Sequence, residues 1–209
     1  MRPGDVKKAI VTWILLGVNV LVFIVLEIAG STENGYFMYR HGAMLTSAVA
    51  EDGEYWRLFT CIFLHFGFMH LANNMLVLFA IGTILESGLG HVRTLLIFML
   101  SGVGSSLLSY LWHFRKGEEV LSAGASGAVF GFMGAMIFAA LFARDRIGAL
   151  SLRQIILMLI LSLYHGASEG IDDAAHLSGL GIGFILAFLL LLIPDKKRPA
   201  DPTDAAGRY

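Results

Sequence analysis

A serine and a histidine stand where apolar helices are expected to begin. Ser126 lies in Gly124-Ala125-Ser126-Gly127, at the mouth of an apolar run from 128 to 143. His176 opens another such run, followed by Gly179 and Gly183. A serine becomes a nucleophile once a base takes its proton, and imidazole titrates near enough to neutrality to be that base. A helix start adds free backbone N–H groups that can receive a developing oxyanion. Together these types suggest peptide hydrolysis inside a bilayer. Taken alone, Ser126 reads more simply as a small interface residue bonded to a backbone carbonyl, and His176 as a histidine bonded to a neighbouring carbonyl. The stretch is not the G-x-S-x-G elbow of soluble hydrolases, because position 128 is Ala and no strand is expected before it.

A second polar group lies upstream, in His65-Phe-Gly-Phe-Met-His70-Leu-Ala-Asn-Asn74. His70 and Asn74 are four apart and share a helix face. Both are donors, and donors aimed at developing negative charge form an oxyanion hole. Asn73 is adjacent, and spacing alone does not separate it from Asn74. The simpler reading is interhelical polar glue. Three histidines would also suit zinc, but H-E-x-x-H is missing and His65 and His70 are five apart, so no metal is expected. Asp172 and Asp173, just before His176, read either as a third triad member or as charges at a helix N-terminus.

The elements that must position these groups are membrane helices. The 209 residues are 56% hydrophobic and 15% charged, with a mean hydropathy of +0.72. A soluble domain carries about 25% charged residues. A span needs ~20 apolar residues, and six stretches qualify: 9–29, 67–86, 92–113, 125–143, 149–166 and 176–193. The basic start leads into an apolar stretch too long for a signal peptide and with no clear cleavage site, so the first helix reads as retained. The net charge of −1 argues against a nucleic-acid partner, and the single Cys61 excludes an internal disulfide.

The connection 31–60 mixes aromatics with charges, which places it in the membrane interface. Within it, Trp56-Arg57 reads as an aromatic anchor with a lipid-phosphate contact, or as a clamp holding the loop. Glu27 and Glu86 are expected to reach headgroups, and His41, His91, His113 and His165 to be interfacial. Residues 1–193 form one transmembrane domain, and the Pro- and charge-rich tail 194–209 reads as a disordered cytoplasmic segment. With six spans both termini share a side, and that side holds eleven Lys and Arg against four on the other. The positive-inside rule then puts both termini in the cytoplasm and Ser126, His176 and His70 near the outer leaflet. Gly127, Gly131 and Gly134 share one helix face, and Gly179 and Gly183 another. Small faces let helices approach closely in lipid, which would bring Ser126 near His176.

Four motifs in this order resemble the rhomboid intramembrane serine proteases: Trp56-Arg57, H-x4-H-x3-N at His65, His70 and Asn74, G-x-S-G at Gly124 to Gly127, and A-H-x-x-G-x-x-x-G from Ala175 to Gly183. The resemblance covers residues 9–193 and implies an all-α membrane protein, a six-helix bundle with a long interfacial loop between helices one and two. It implies a Ser126–His176 dyad without a catalytic Asp and without a cofactor. His70, Asn74 and the Ser126 N–H would stabilise the oxyanion, Gly124 would shape the adjoining loop, and His65 would support the network. Phe130 stands where the family often has Tyr, and its ring would pack on His176. The segment 167–173 would be a cap and the fifth span a lateral gate. Substrates would be single-pass transmembrane proteins in a bacterial inner membrane, with lipids as the other partners. A rhomboid-like protein that binds membrane clients without cutting them is the alternative, and a small-solute transporter a more distant one, disfavoured by the lack of an inverted repeat.

Overall fold

The computed structural model describes residues 9–143, 152–166 and 172–192. Residues 167–171 of the cap expected over 167–173, the basic residues 1–8 and the tail 194–209 lie outside the described residues. Six apolar helices form the bundle: α1 (Ile10–Ala29), α5 (Gly67–Leu89), α6 (His91–Lys116), α7 (Ser126–Phe142), α8 (Leu152–Gly166) and α9 (Asp173–Leu192). Between α1 and α5 lie α2 (Gly35–Arg40), β1 (Met44–Leu45), α3 (Thr46–Ala50), α4 (Arg57–Thr60) and a 3-10 turn (Cys61–Phe63), and β2 (Leu121–Ser122) precedes α7. Helices α1, α5, α6 and α9 are long and apolar enough to cross a membrane, while α7 has 17 residues and α8 has 15.

Helix α7 is apolar on every side, and a helix of that kind belongs in an interior. It packs against α5, α6, α8 and α9, and most of its residues are buried. By contrast α1 turns Ile14, Leu21 and Ile28 outward, which suits contact with lipid. The closest helix pair is α7 with α9. Its backbones touch where side chains are missing: a methyl group on Gly179 would collide with the Gly127 carbonyl oxygen, and one on Gly183 with that of Gly131.

The 31–60 connection is built, not loose. Asn34 caps α2 by accepting the Phe37 N–H at 2.9 Å. Arg57 is buried, donating from Nε to Glu54 at 2.5 Å and from Nη1 to the Tyr39 and Ala43 carbonyls at 2.5 and 2.9 Å. Its guanidinium also faces the rings of Tyr39 and Trp56. It is therefore a clamp within the loop and not a phosphate contact. The sequence reading places no strand before Ser126. The structure has a short one: β1 and β2 pair antiparallel, Met44 with Ser122 and Leu45 with Leu121. This ties the loop to the segment that leads into α7.

The expectation for Glu86 is corrected, and Glu27 and His113 gain partners the sequence did not show. Glu86 is buried and reaches no headgroup; its carboxylate accepts the Val11 N–H at 2.8 Å, the Thr12 N–H at 2.7 Å and the Thr12 hydroxyl at 2.6 Å. It thus caps α1, whose first turn has no side-chain cap of its own. Glu27 holds Thr32, accepting its hydroxyl at 2.6 Å. His113 is held in place: its Nδ1 lies 2.7 Å from Glu118 and its Nε2 3.4 Å from Asp172.

Candidate active site

Ser126 is the first residue of α7 and Ala125 its N-cap. The N–H groups of Ser126 and the next residues have no partner within the helix, because the first intrahelical bond runs from the Val129 N–H to the Ala125 carbonyl, at 2.9 Å. The loop before it is pinned. Gly124 N–H donates to the Cys61 carbonyl at 2.9 Å, and Ala125 N–H to His65 Nε2 at 3.4 Å. An amide can only donate, so His65 Nε2 is an acceptor and the neutral ring carries its proton on Nδ1. Burial, and then the neighbouring His70, push the His65 pKa down to about 3, which keeps that acceptor unprotonated.

His70 and Asn74 lie in the first two turns of α5. The His70 ring meets the His65 ring edge-on, with centroids 5.2 Å apart. Asn74 is buried and donates one of its two amide protons to the His70 carbonyl at 3.0 Å, leaving the other for a further acceptor. Asn73 is half-buried, so burial separates the two where spacing did not. Gly124 has φ +141°, in the region that favours glycine. A Cβ built there would sit 2.8 Å from His70 Nε2 and 3.6 Å from Ser126 Oγ. The His70 ring and the Ser126 hydroxyl therefore border one small volume, kept open because Gly124 has no side chain.

His176 is in the first turn of α9 and is buried. Its ring lies flat on Phe130, with centroids 4.2 Å apart and planes 1° from parallel. Phe130 is one turn after Ser126 on the same face of α7, so the stacking brings His176 to the Ser126 face. The Gly127–Gly179 contact makes that approach possible, because Gly127 directly follows Ser126 and Gly179 lies three residues after His176. Serines of α6 back the same wall: a side chain on Gly127 would run into Ser105, and one on Gly131 into Ser101. Trp56 and Arg57 stay in the loop clamp. An apolar cleft of about 380 Å³, lined by Phe138, Phe142, Phe184, Ile185 and Phe188, lies toward the other ends of α7 and α9 and holds none of these polar groups.

Sequence reasoning missed the serine face of α6; of its two readings of Asp172, the charge at a helix N-terminus is the one the structure supports. Ser101, Ser105 and Ser109 recur every four residues, which is the signal that would have found that face. Asp172 accepts the Ala175 N–H at 3.0 Å; an Asp three residues before a helical N–H is the mark of an N-cap.

Residues 52–193 match the Rhomboid domain family. The chain is 38% identical over 184 residues to rhomboid protease GluP of Bacillus subtilis, covering 88% of this chain and 35% of that protein. It is 43% identical over 162 residues to RHOMBOID-like protein 1 of Arabidopsis thaliana, covering 73% of this chain and 39% of the relative. It is 38% identical over 139 residues to the putative rhomboid protease YdcA of Bacillus subtilis, covering 66% and 68% respectively. The chain spans between about a third and a half of the length of the first curated relatives it matches.

Proposed function

The chain belongs to the rhomboid family, and we propose that it is an intramembrane serine endopeptidase with Ser126 as nucleophile and His176 as general base. The observation that carries this reading is the juxtaposition at the start of α7. A serine opens a buried helix, a histidine is stacked on the same face one turn along, and His70 borders the volume over Gly124. Rhomboid protease GluP is a relative whose name states the activity.

In the proposed reaction His176 accepts the Ser126 Oγ proton while Oγ attacks the carbonyl carbon of the scissile bond. The carbonyl oxygen gains the negative charge, received by the Ser126 N–H, His70 and Asn74. Loss of one such donor costs about 10²–10³ in kcat. His176 then gives its proton to the departing amine, and water, activated by the same imidazole, releases the acyl group. No cofactor is needed. A substrate helix must open first, because its carbonyls are bonded internally. Single-pass transmembrane proteins with helix-weakening residues near the outer leaflet are the substrate class. The distribution of Lys and Arg sets that orientation, with both termini cytoplasmic in a bacterial inner membrane.

The test is reconstitution of the full chain in liposomes with a fluorescent transmembrane substrate. Wild type should cut, and Ser126→Ala and His176→Ala should not. A wild type that binds the substrate without cutting it supports the client-binding alternative. Cutting that survives Ser126→Ala refutes the mechanism.

A further inference from the structure

We propose that Asp172 is a positioning residue for His176, acting through the backbone and without touching the imidazole; this rests on the dyad proposed above. Its carboxylate gathers four partners from three elements. Oδ1 accepts the Ala175 N–H at 3.0 Å and lies 3.4 Å from His113 Nε2. Oδ2 accepts the Ser122 hydroxyl at 3.1 Å and the hydroxyl of Ser109. The Asp172 carbonyl accepts the His176 N–H at 3.2 Å, the bond that fixes the backbone of His176 itself. Ser109 and His113 belong to α6 and Ser122 to β2, so Asp172 fastens the start of α9 to α6 and to the strand that leads into α7. The fastening is buried: the Asp172 side chain is 10% exposed and Ser109 fully covered.

His176 needs such a device. The glycine contact that seats α9 on α7 lies downstream, at Gly179 and Gly183. The first turn of a helix lacks the backbone bonds that hold later turns, and it frays most readily. The His176 ring is held on one face by Phe130, and its buried Nδ1 has no hydrogen-bond partner among the described residues. Its direction therefore follows the backbone of the first turn, and Asp172 sets that backbone. In soluble serine proteases a carboxylate orients the histidine by bonding the imidazole directly. Here the carboxylate stands one turn away and orients it through the N-cap. Asp173, the next residue, is exposed and makes none of these hydrogen bonds.

The experiment compares wild type with Asp172→Ala, Asp172→Asn, the Ser109→Ala/Ser122→Ala double variant and Asp173→Ala. Each is the full chain in liposomes, read by kcat and KM on the transmembrane substrate and by the rate at which a fluorophosphonate labels Ser126. A misplacement of about 1 Å costs on the order of 10²-fold. Asp172→Ala should therefore lose about 10- to 100-fold in kcat and in labelling, with KM within about twofold. Asn keeps an acceptor for Ala175 and an amide that can donate to both serine oxygens, so it should recover to within about fivefold of wild type. The double serine variant should fall between, and Asp173→Ala should match wild type. Should Asp172→Ala fail to fold, the Asn and double-serine variants still decide the matter. Wild-type kcat in Asp172→Ala, an Asn variant as poor as Ala, or a loss lying wholly in KM overturns the positioning role alone. A wild type that neither cuts nor labels overturns the dyad, and this role with it.

Discussion

Replacing Gly124 by alanine tests whether the volume beside Ser126 is as important as the proposed chemistry requires. The added Cβ would lie 2.8 Å from both Nε2 and Cε1 of His70. Ordinary contact is about 3.5 Å, so the ring or the loop must give way by about 0.7 Å. The backbone adds a second cost. With φ at +141°, an alanine is held in a region that costs on the order of 1–3 kcal/mol. The loop has little freedom to relieve either strain, because Gly124 and Ala125 are both bonded through their N–H groups to Cys61 and His65. Moving one oxyanion donor by most of an ångström should lower kcat by about 10- to 100-fold. Unfolding in detergent should show a stability loss of about 1–3 kcal/mol, and kcat is then measured at a temperature where both proteins remain folded. A double-mutant cycle isolates the cause. His70→Ala alone should cost about 10²–10³. Once the ring is gone the clash is gone, so adding Gly124→Ala should cost less than about threefold more. Full additivity of the two losses, or unchanged kcat in Gly124→Ala, would refute the assignment of His70 to that volume.

Glu86→Ala should destabilise the bundle by about 3–5 kcal/mol, because the buried Thr12 N–H and the half-buried Val11 N–H at the start of α1 lose their acceptor at about 1–3 kcal/mol each, along with the bond to the Thr12 hydroxyl. Chemical unfolding in detergent measures it, and a change under about 1 kcal/mol would show that α1 is capped by other means. His65 gives a pH signature. Its pKa is pushed from 6.5 down to about 3 in the folded chain, so unfolding takes up a proton between those values. Its contribution to stability is therefore complete above about pH 6.5 and is lost as the pH falls toward 3, by up to about 1.4 kcal/mol per unit. Unfolding midpoints between pH 7.5 and 4.5 should fall more steeply in wild type than in His65→Gln; equal slopes would mean that His65 does not unfold from a buried neutral state.

How much of this was legible in the sequence depended on the range of the signal. The six helices were readable because each is a long apolar run, and their ends differ from expectation by a few residues only. Span six, for instance, begins at Asp173, three residues before the expected start at His176, because Asp172 supplies the cap. The interfacial connection was readable as a placement, from its aromatics and charges, but not as a set of elements. Helices and strands of two to six residues are too short to show a period. Glu86 was misread because a carboxylate near the end of a span ordinarily reaches for water, whereas three of its hydrogen bonds come from Val11 and Thr12, some 75 residues away. The candidate site was the exception. Its residues come from distant parts of the chain, yet each stands in a short motif, so the order of the motifs could nominate them without any knowledge of contacts.

The short central helix joins these observations to the proposed chemistry. Seventeen residues make a helix of about 25 Å, less than the ~30 Å of a hydrocarbon core. A helix of that length surrounded by lipid would strand its first N–H groups where nothing can bond them. In this fold α5, α6, α8 and α9 surround α7, so its N-terminus opens inside protein. There the Ala125 N–H is taken by His65, while the Ser126 N–H has no partner within its helix. In the proposed reaction, donors that would be a liability in lipid serve the substrate oxygen. The glycine contacts between α7 and α9 then let a histidine approach without widening the cavity. On this view Gly127 and Gly179 contribute to activity through backbone distance alone. Substitution at either should move His176 before it disturbs His70 or Asn74, which are held by a different helix.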